Sequence, residues 1–260
     1  GSGRQPATTR GTSGLPSARF GMAEVNLDRL ARAYQHRPAS VASLARAEAA
    51  GFGLERGAWV LDVGGGLGNH AVVWGGQGLR AVVLDPSRVM LATARDRNLM
   101  AVRALAQALP FKSECFALVW FHLSIHYGDW QVSIDEAVRV LGEDGRVEIW
   151  TLGPDHHEQS LLAQWFPSVP SIESERFPEP ESTAAYLEDR IDVVRVSHHV
   201  ERVVRPSGEW LRAVEAGFIS TLQLIPKDER AAGIAAFREA HPDARQPISY
   251  QLWFTRIVGQ

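Results

Sequence analysis

A single cysteine, Cys115, occurs in the 260 residues. The chain alone therefore forms no internal disulfide and no zinc site built on several thiolates, and one thiol fits a reducing, cytoplasmic setting. Long apolar runs are missing as well. The longest, residues 116–125, is about half the roughly 20 residues that a membrane-spanning helix needs and is interrupted by His122, so no membrane insertion is expected. An excess of basic charge is also absent. Lys and Arg total 27 against 30 Asp and Glu, a net charge of -3, and no dense basic stripe is present, which argues against nucleic acid held through its phosphates. Internal repeats and heptad runs are lacking too. Residues 1–19 begin Gly-Ser-Gly and are rich in Ser, Thr, Gly and Arg without an apolar stretch. They read as a disordered tail with a cloning remnant at its start, not as a secretory signal.

What is there is ordinary globular composition, 45% hydrophobic and 22% charged, enough for one large domain or one domain with a small lid. Apolar residues at helical spacing over 22–54, broken at Arg37-Pro38, predict two helices. Residues 58–63 form a short apolar run that ends in the cluster Gly64-Gly65-Gly66-Leu67-Gly68, with a helix beginning at Asn69. A second run, 79–84, ends in Asp85-Pro86-Ser87, which stops a strand and starts a helix over 89–97. Further strands are predicted at 100–104, 116–121 and 146–150. Strands alternating with helices give an α/β, doubly wound, mostly parallel Rossmann-like sheet with helices on both faces. After Trp150 the pattern changes: residues 153–180 are rich in Pro, Ser, Glu and His, with one amphipathic stretch at 161–166. Alternating segments at 191–204 and 248–258 predict a closing strand pair, with helices between them near 209–224 and 227–240.

The glycine loop limits what can bind. Read as Asp62-x-Gly64-x-Gly66-x-Gly68, it places Asn69 where a dinucleotide fingerprint needs its third glycine. Asp62, two residues before the first glycine, would repel a pyrophosphate, so a cationic or zwitterionic ligand suits the loop better. Asp85 ends the next strand 23 residues after Asp62. A carboxylate there can accept both hydrogens of a ribose diol, and the two together point to an adenosine-type cofactor.

These segments carry a family resemblance. VLDVGGGLGNH (60–70), LDPS (84–87), ALPF (108–111), FALVWFHLSIHY (116–127) and VLGEDGRVEIW (140–150) resemble, in order and spacing, class I S-adenosylmethionine-dependent methyltransferases of the small-molecule branch that includes ubiquinone/menaquinone-biosynthesis type enzymes. The resemblance implies seven strands with the last antiparallel, and S-adenosylmethionine as cofactor with S-adenosylhomocysteine as product. It divides the chain into an N-terminal helical cover (20–55), a cofactor-binding core (56–152), a lid or substrate-facing insertion with the sixth strand (153–208), and C-terminal helices with a closing strand (209–260). It implies that Asp62, Gly64, Gly65, Gly66 and Gly68 lie beside the methionine part, that Asp85 binds the ribose, and that Pro86 or Ser87 flanks the adenine. Ala106 and Gln107 match adenine contacts, Phe121 a main-chain contact to the amino-acid part, and Tyr34 and Arg37 a closure over its carboxylate. Two positions depart from the family pattern: Leu105 stands where an aspartate receives the adenine amino group, and Ala117 where the fourth strand has an aspartate.

Methyl transfer from a sulfonium is an in-line displacement that depends chiefly on alignment. An acceptor that must lose a proton benefits from a base, and His126, just beyond the fourth strand, is the candidate, with Tyr127 beside it. Trp150 and His156 are further candidates for the acceptor side. The adjacent pair His156 and His157, in a polar segment, is expected to be solvated more often than catalytic. A metal pair of His122 and His126 is not expected, because four residues along a strand and loop do not share a face. The partner expected is thus a small-molecule methyl acceptor. The alternatives are a protein of the same fold that binds the cofactor for a non-methyl reaction or as a noncatalytic partner, and a nicotinamide-dependent oxidoreductase, which Asn69 and Asp62 disfavour.

Overall fold

The computed structural model describes residues 25–34 and 40–260. The tail expected over 1–19, Arg37 and the helix joint at Pro38 lie outside the described residues. The strands are β1 (Trp59–Val63), β2 (Arg80–Leu84), β3 (Met100–Val102), β4 (Phe116–His122), β5 (Leu141–Leu152), β6 (Val194–Pro206) and β7 (Pro247–Gly259), in the sheet order β3-β2-β1-β4-β5-β7-β6. β1 to β5 pair parallel, and β7 is antiparallel to both β5 and β6. This is the seven-stranded sheet with an antiparallel last strand that the resemblance implied.

Eleven helices are described: α1 (Leu27–Tyr34), α2 (Val41–Gly51), α3 (Asn69–Gly76), α4 (Arg88–Asp96), α5 (Trp130–Val140), α6 (Pro154–Gln159), α7 (Leu161–Trp165), α8 (Val169–Arg176), α9 (Pro180–Glu188), α10 (Ser207–Ala216) and α11 (Lys227–Ala240), with a short 3-10 turn at Ser220–Gln223. Strand alternation assigns the two faces. Leu61, Val63, Phe121 and Ile149 pack with Ile134 and Ala137 of α5 and Leu187 of α9. Val60, Val83, Leu118 and Trp120 pack on the other face with Ala47 of α2, Trp74 of α3 and Leu91 of α4. Trp74, Trp120 and Trp210 are fully buried. At about 25 cal/mol per Å2 over roughly 150–250 Å2 of side chain, each contributes on the order of 5 kcal/mol before entropy. Trp74 also donates its indole N–H to the Ala47 carbonyl at 2.7 Å, fixing α2 against the helix that follows the glycine turn.

Local chemistry sets the helix starts. Ser40, Ser87 and Asp129 cap α2, α4 and α5 by accepting backbone N–H groups of the first turn. The stretch 153–180, expected to hold one amphipathic segment, contains α6, α7 and α8. Three of its five prolines open helices instead of marking loops: Pro154, Pro170 and Pro180 occupy the first turn of α6, α8 and α9, where the missing N–H would be unpaired anyway. α7 and α8 join α10 and α11 around a second, smaller core of Phe166, Val169, Ile172, Trp210, Leu222 and Phe237. That core stands beyond the carboxyl ends of β4 and β5, the edge where sheets of this kind bind ligands.

Candidate active site

The turn after β1 is built by glycines that no other residue replaces without strain. Gly64, Gly66 and Gly68 have positive φ, and a Cβ on Gly65 would lie 2.5 Å from the Asp62 carboxylate. Asp85, at the end of β2, accepts from the Gly66 N–H at 3.1 Å and the Ser87 N–H at 2.8 Å. It is 8% exposed. Burial, with a further push from the Asp62 charge against the opposing backbone hydrogen bonds, raises its pKa to about 6. Asp62 is 1% exposed, and its Oδ2 has no hydrogen-bond partner among the described residues. His70 approaches the other oxygen at 3.7 Å. Its Nδ1 accepts the Trp120 indole N–H and its Nε2 faces Ser43, so the ring brings no proton to Asp62. Two buried carboxylates at one turn, one lacking a donor, fit a ligand with a diol and a cationic end.

The remaining cofactor candidates surround this turn. Tyr34, half-buried, packs with Leu67 and Met90 over the glycine loop. α1 is held there by Ser87, whose hydroxyl donates to Asp28, and by paired hydrogen bonds between Asn26 and Gln223. The Pro86 carbonyl accepts from Arg103. Ala106 is half-buried and Leu105 is exposed. The Gln107 amide donates to the carbonyls of Tyr127 and Asp129 and to the Ser133 hydroxyl, so its side chain shapes the loop after β4. The Phe121 side chain lies wholly in the core, at a register that pairs it with Val63 and Ile149.

On the acceptor side the structure brings His126 and Tyr127 together with residues that the sequence reading passed over. Ser124 donates to the Val63 carbonyl at 2.6 Å and lies against Gly64, joining this loop to the glycine turn. His126 stacks on Phe177 with ring centroids 3.9 Å apart. Its Nδ1 has no partner among the described residues. Burial first, then Arg176 and His157, hold its pKa well below the ordinary histidine value. The Tyr127 hydroxyl meets Ser220 and Arg176. His156 and His157 are buried, contrary to the solvated loop expected for them. His156 accepts the Trp253 N–H, and burial lowers its pKa to about 4. His157 meets Glu173 at 3.1 Å. Trp150 keeps other company: it packs with Trp120, Phe254 and His199 and donates to Glu148. Among the described residues no cluster of three or more His, Cys, Asp or Glu is placed to hold a metal, and no helix is long and apolar enough to cross a membrane. Arg176, Glu173, Ser220 and Thr221 come from α8 and the 3-10 turn, elements too short to show periodicity.

Comparison with known proteins shows what this arrangement resembles. Residues 61–149 match the family described as methyltransferase domain. The malonyl-[acyl-carrier protein] O-methyltransferase of Salmonella typhimurium is 36% identical over 96 residues, covering 36% of this chain and 38% of that protein. The chain thus matches about two fifths of the length of such curated relatives. A methyltransferase assigned to an antibiotic biosynthesis pathway of Anabaena variabilis superposes with a TM-score of 0.64 at 19% identity, covering 84% of this chain and 97% of that one. Phosphoethanolamine N-methyltransferase 2 of Haemonchus contortus, solved with phosphomonomethylethanolamine and S-adenosylhomocysteine, gives 0.59 at 15% identity over 88% of this chain and 56% of that one. Residues 61–149 are thus similar to methyltransferase domains, and the sheet has the fold of methyltransferases of known structure.

Proposed function

We propose that this chain transfers a methyl group from S-adenosylmethionine to a small or carrier-linked acceptor. The observation that carries the reading is the pairing of Asp62 and Asp85 at the ends of β1 and β2 around the glycine turn, with His126 and Tyr127 on the adjoining loop. Asp85 would accept the ribose hydroxyls, and Asp62 Oδ2, which lacks a donor among the described residues, would accept a cationic N–H of the methionine part. Pro86 and the backbone of Ala106 would flank the adenine, the Phe121 main chain would meet the amino-acid part, and Tyr34 with Arg37 would close over the carboxylate. Leu105 in place of the usual aspartate removes one hydrogen bond, on the order of 1 kcal/mol net, which these contacts offset. When bound, S-adenosylmethionine supplies a methyl group already activated for displacement, so the work left to the chain is alignment and exclusion of water.

His126 is the general-base candidate, and its neutral imidazole with an open Nδ1 suits a proton acceptor. Its depressed proton affinity makes it a weak base. The site therefore favours an acceptor that arrives already deprotonated, with His126 as wall and hydrogen-bond acceptor. This agrees with O-methylation, the reaction type in the name of the Salmonella malonyl-[acyl-carrier protein] O-methyltransferase.

Calorimetric titration with S-adenosylmethionine and S-adenosylhomocysteine tests the reading, with reduced nicotinamide dinucleotide as control. Micromolar binding of the first two alone supports it. Binding of the nicotinamide alone, or of none of the three, overturns it.

A further inference from the structure

The acceptor end is organised around one buried cation. Arg176, the last residue of α8, is 7% exposed. Its Nη2 donates to the Ser220 hydroxyl at 2.9 Å and its Nη1 to the Thr221 hydroxyl at 3.2 Å. Its guanidinium carbon lies 5.7 Å from the Tyr127 ring centroid, and it reaches the Tyr127 hydroxyl as well. The hydrogen bonds to described residues are thus with hydroxyls, and among those residues no carboxylate forms an ion pair with it within 4.0 Å. Glu173, on the same helix, is reached only through Thr221, whose hydroxyl donates to Glu173 Oε1 at 3.1 Å. The other Glu173 oxygen is taken up by His157.

A guanidinium in so dry a place is costly unless an anion meets it, and its planar fork of five N–H donors matches a carboxylate. The arginine also lies against the loop that follows β4, over the Tyr127 ring. Tyr127 follows His126 and Ser124 in the loop after β4, and Ser124 joins that loop to the glycine turn through its hydrogen bond to the Val63 carbonyl. A phosphate dianion is disfavoured, because a single guanidinium would hold it one hydroxyl away from the Glu173 carboxylate.

We propose that Arg176, with Ser220 and Tyr127, is the specificity site for a carboxylate on the acceptor, and that this carboxylate is the group methylated. The inference rests on the methyltransferase reading above. One carboxylate oxygen is held by the arginine while the other attacks. The attacking oxygen's lone pair forms the O–CH3 bond as the S–CH3 bond of S-adenosylmethionine breaks, with the bonding pair left on sulfur. The carboxylate and sulfonium charges cancel, a methyl ester and a neutral thioether result, and no proton moves.

The test uses the full chain, S-adenosylmethionine and a panel of carboxylates: the malonyl thioester of N-acetylcysteamine, phenylacetate and octanoate, each paired with its uncharged amide. Mass spectrometry of the methyl ester gives turnover, and calorimetry with S-adenosylhomocysteine is run in parallel on every variant. The expected result is methylation of at least one carboxylate and not of its amide. Arg176→Gln should raise KM for that acid about 100-fold, Arg176→Lys should recover part of the loss, and S-adenosylhomocysteine affinity should stay unchanged. Ser220→Ala, a milder change, should raise KM about tenfold and serves if Arg176→Gln does not fold. Equal use of acid and amide, an untouched panel, or an unchanged KM in a folded Arg176→Gln or Ser220→Ala variant overturns the proposal. Loss of S-adenosylhomocysteine binding by the unaltered chain would instead remove the methyltransferase reading beneath it.

Discussion

Asp85→Asn should push two measurable quantities in opposite directions. In the fold without ligand, burial raises the Asp85 pKa from 3.8 to about 6. A raised carboxyl pKa means that the fold prefers the protonated form. Its contribution is fully present below about pH 3.8 and lost as pH rises through about 6, after which the ionised group weighs on the native state. Roughly two pH units correspond to about 3 kcal/mol. Asparagine removes the charge and keeps one oxygen for either the Ser87 or the Gly66 N–H, while its NH2 faces the other at a cost of about 1–2 kcal/mol. The variant should therefore be more stable than the parent at pH 7.5 by about 1 kcal/mol, a rise of about 2–4 °C in Tm for a chain of this size. At pH 4.5 the gain should vanish or reverse. The same change removes the charge-assisted ribose contacts, so S-adenosylhomocysteine affinity at pH 7.5 should fall about 10–100-fold. Thermal unfolding at both pH values and calorimetry on the same samples decide it. Unchanged affinity refutes the ribose assignment, and a Tm that falls at pH 7.5 but not at pH 4.5 refutes the burial argument.

The same carboxylate sets the pH dependence of the unaltered chain. S-adenosylhomocysteine affinity should fall about tenfold between pH 7.5 and 5 as Asp85 takes up its proton, and the slope should flatten in Asp85→Asn; a parallel slope in both would assign the titration elsewhere. Gly65→Ala puts a methyl 2.5 Å from the Asp62 carboxylate, so it should cost about 1–3 kcal/mol in unfolding and lower cofactor affinity, whereas wild-type binding would show that Asp62 moves aside freely. His126→Ala should leave S-adenosylhomocysteine affinity within about threefold and lower turnover about tenfold, through loss of its stacking on Phe177; a fall of about 10^3 or more would restore it as the base.

How far the site could be read in advance depended on how local its determinants are. Asp62, Gly64 to Gly68 and Asp85 belong to two consecutive strand-turn-helix units, where turn chemistry and a 23-residue spacing are visible along the chain. The acceptor end has no such signature. Arg176 and Ser220 stand 44 residues apart and meet only because α7, α8, α10 and α11 share a core. α8 has eight residues and the 3-10 turn four, too few for a period to emerge. Pro154, Pro170 and Pro180 mimicked a loop by composition while serving as helix starts. His156 and His157 looked solvated for the same reason: what buries them is β7 and α8, which approach from distant parts of the sequence.

The two halves share one element. α1 reaches the cofactor side through Asp28, which accepts from Ser87, and through Tyr34 over Leu67. It reaches the acceptor side through Asn26, which exchanges two hydrogen bonds with Gln223 at the end of the turn that carries Ser220. Ligand that orders α1 over the glycine turn must therefore also steady the residues that hold Arg176, since neither Asn26 bond survives independent motion of the two segments. Hydrogen exchange with and without S-adenosylhomocysteine reads this directly. Amides of residues 27–34 and of 220–224 should slow together and by similar factors, and Gln223→Ala, which removes the side chain that pairs with the Asn26 backbone, should uncouple them while leaving the first set protected. Protection confined to α1 in the unaltered chain would mean that the cofactor cover and the acceptor site form separately.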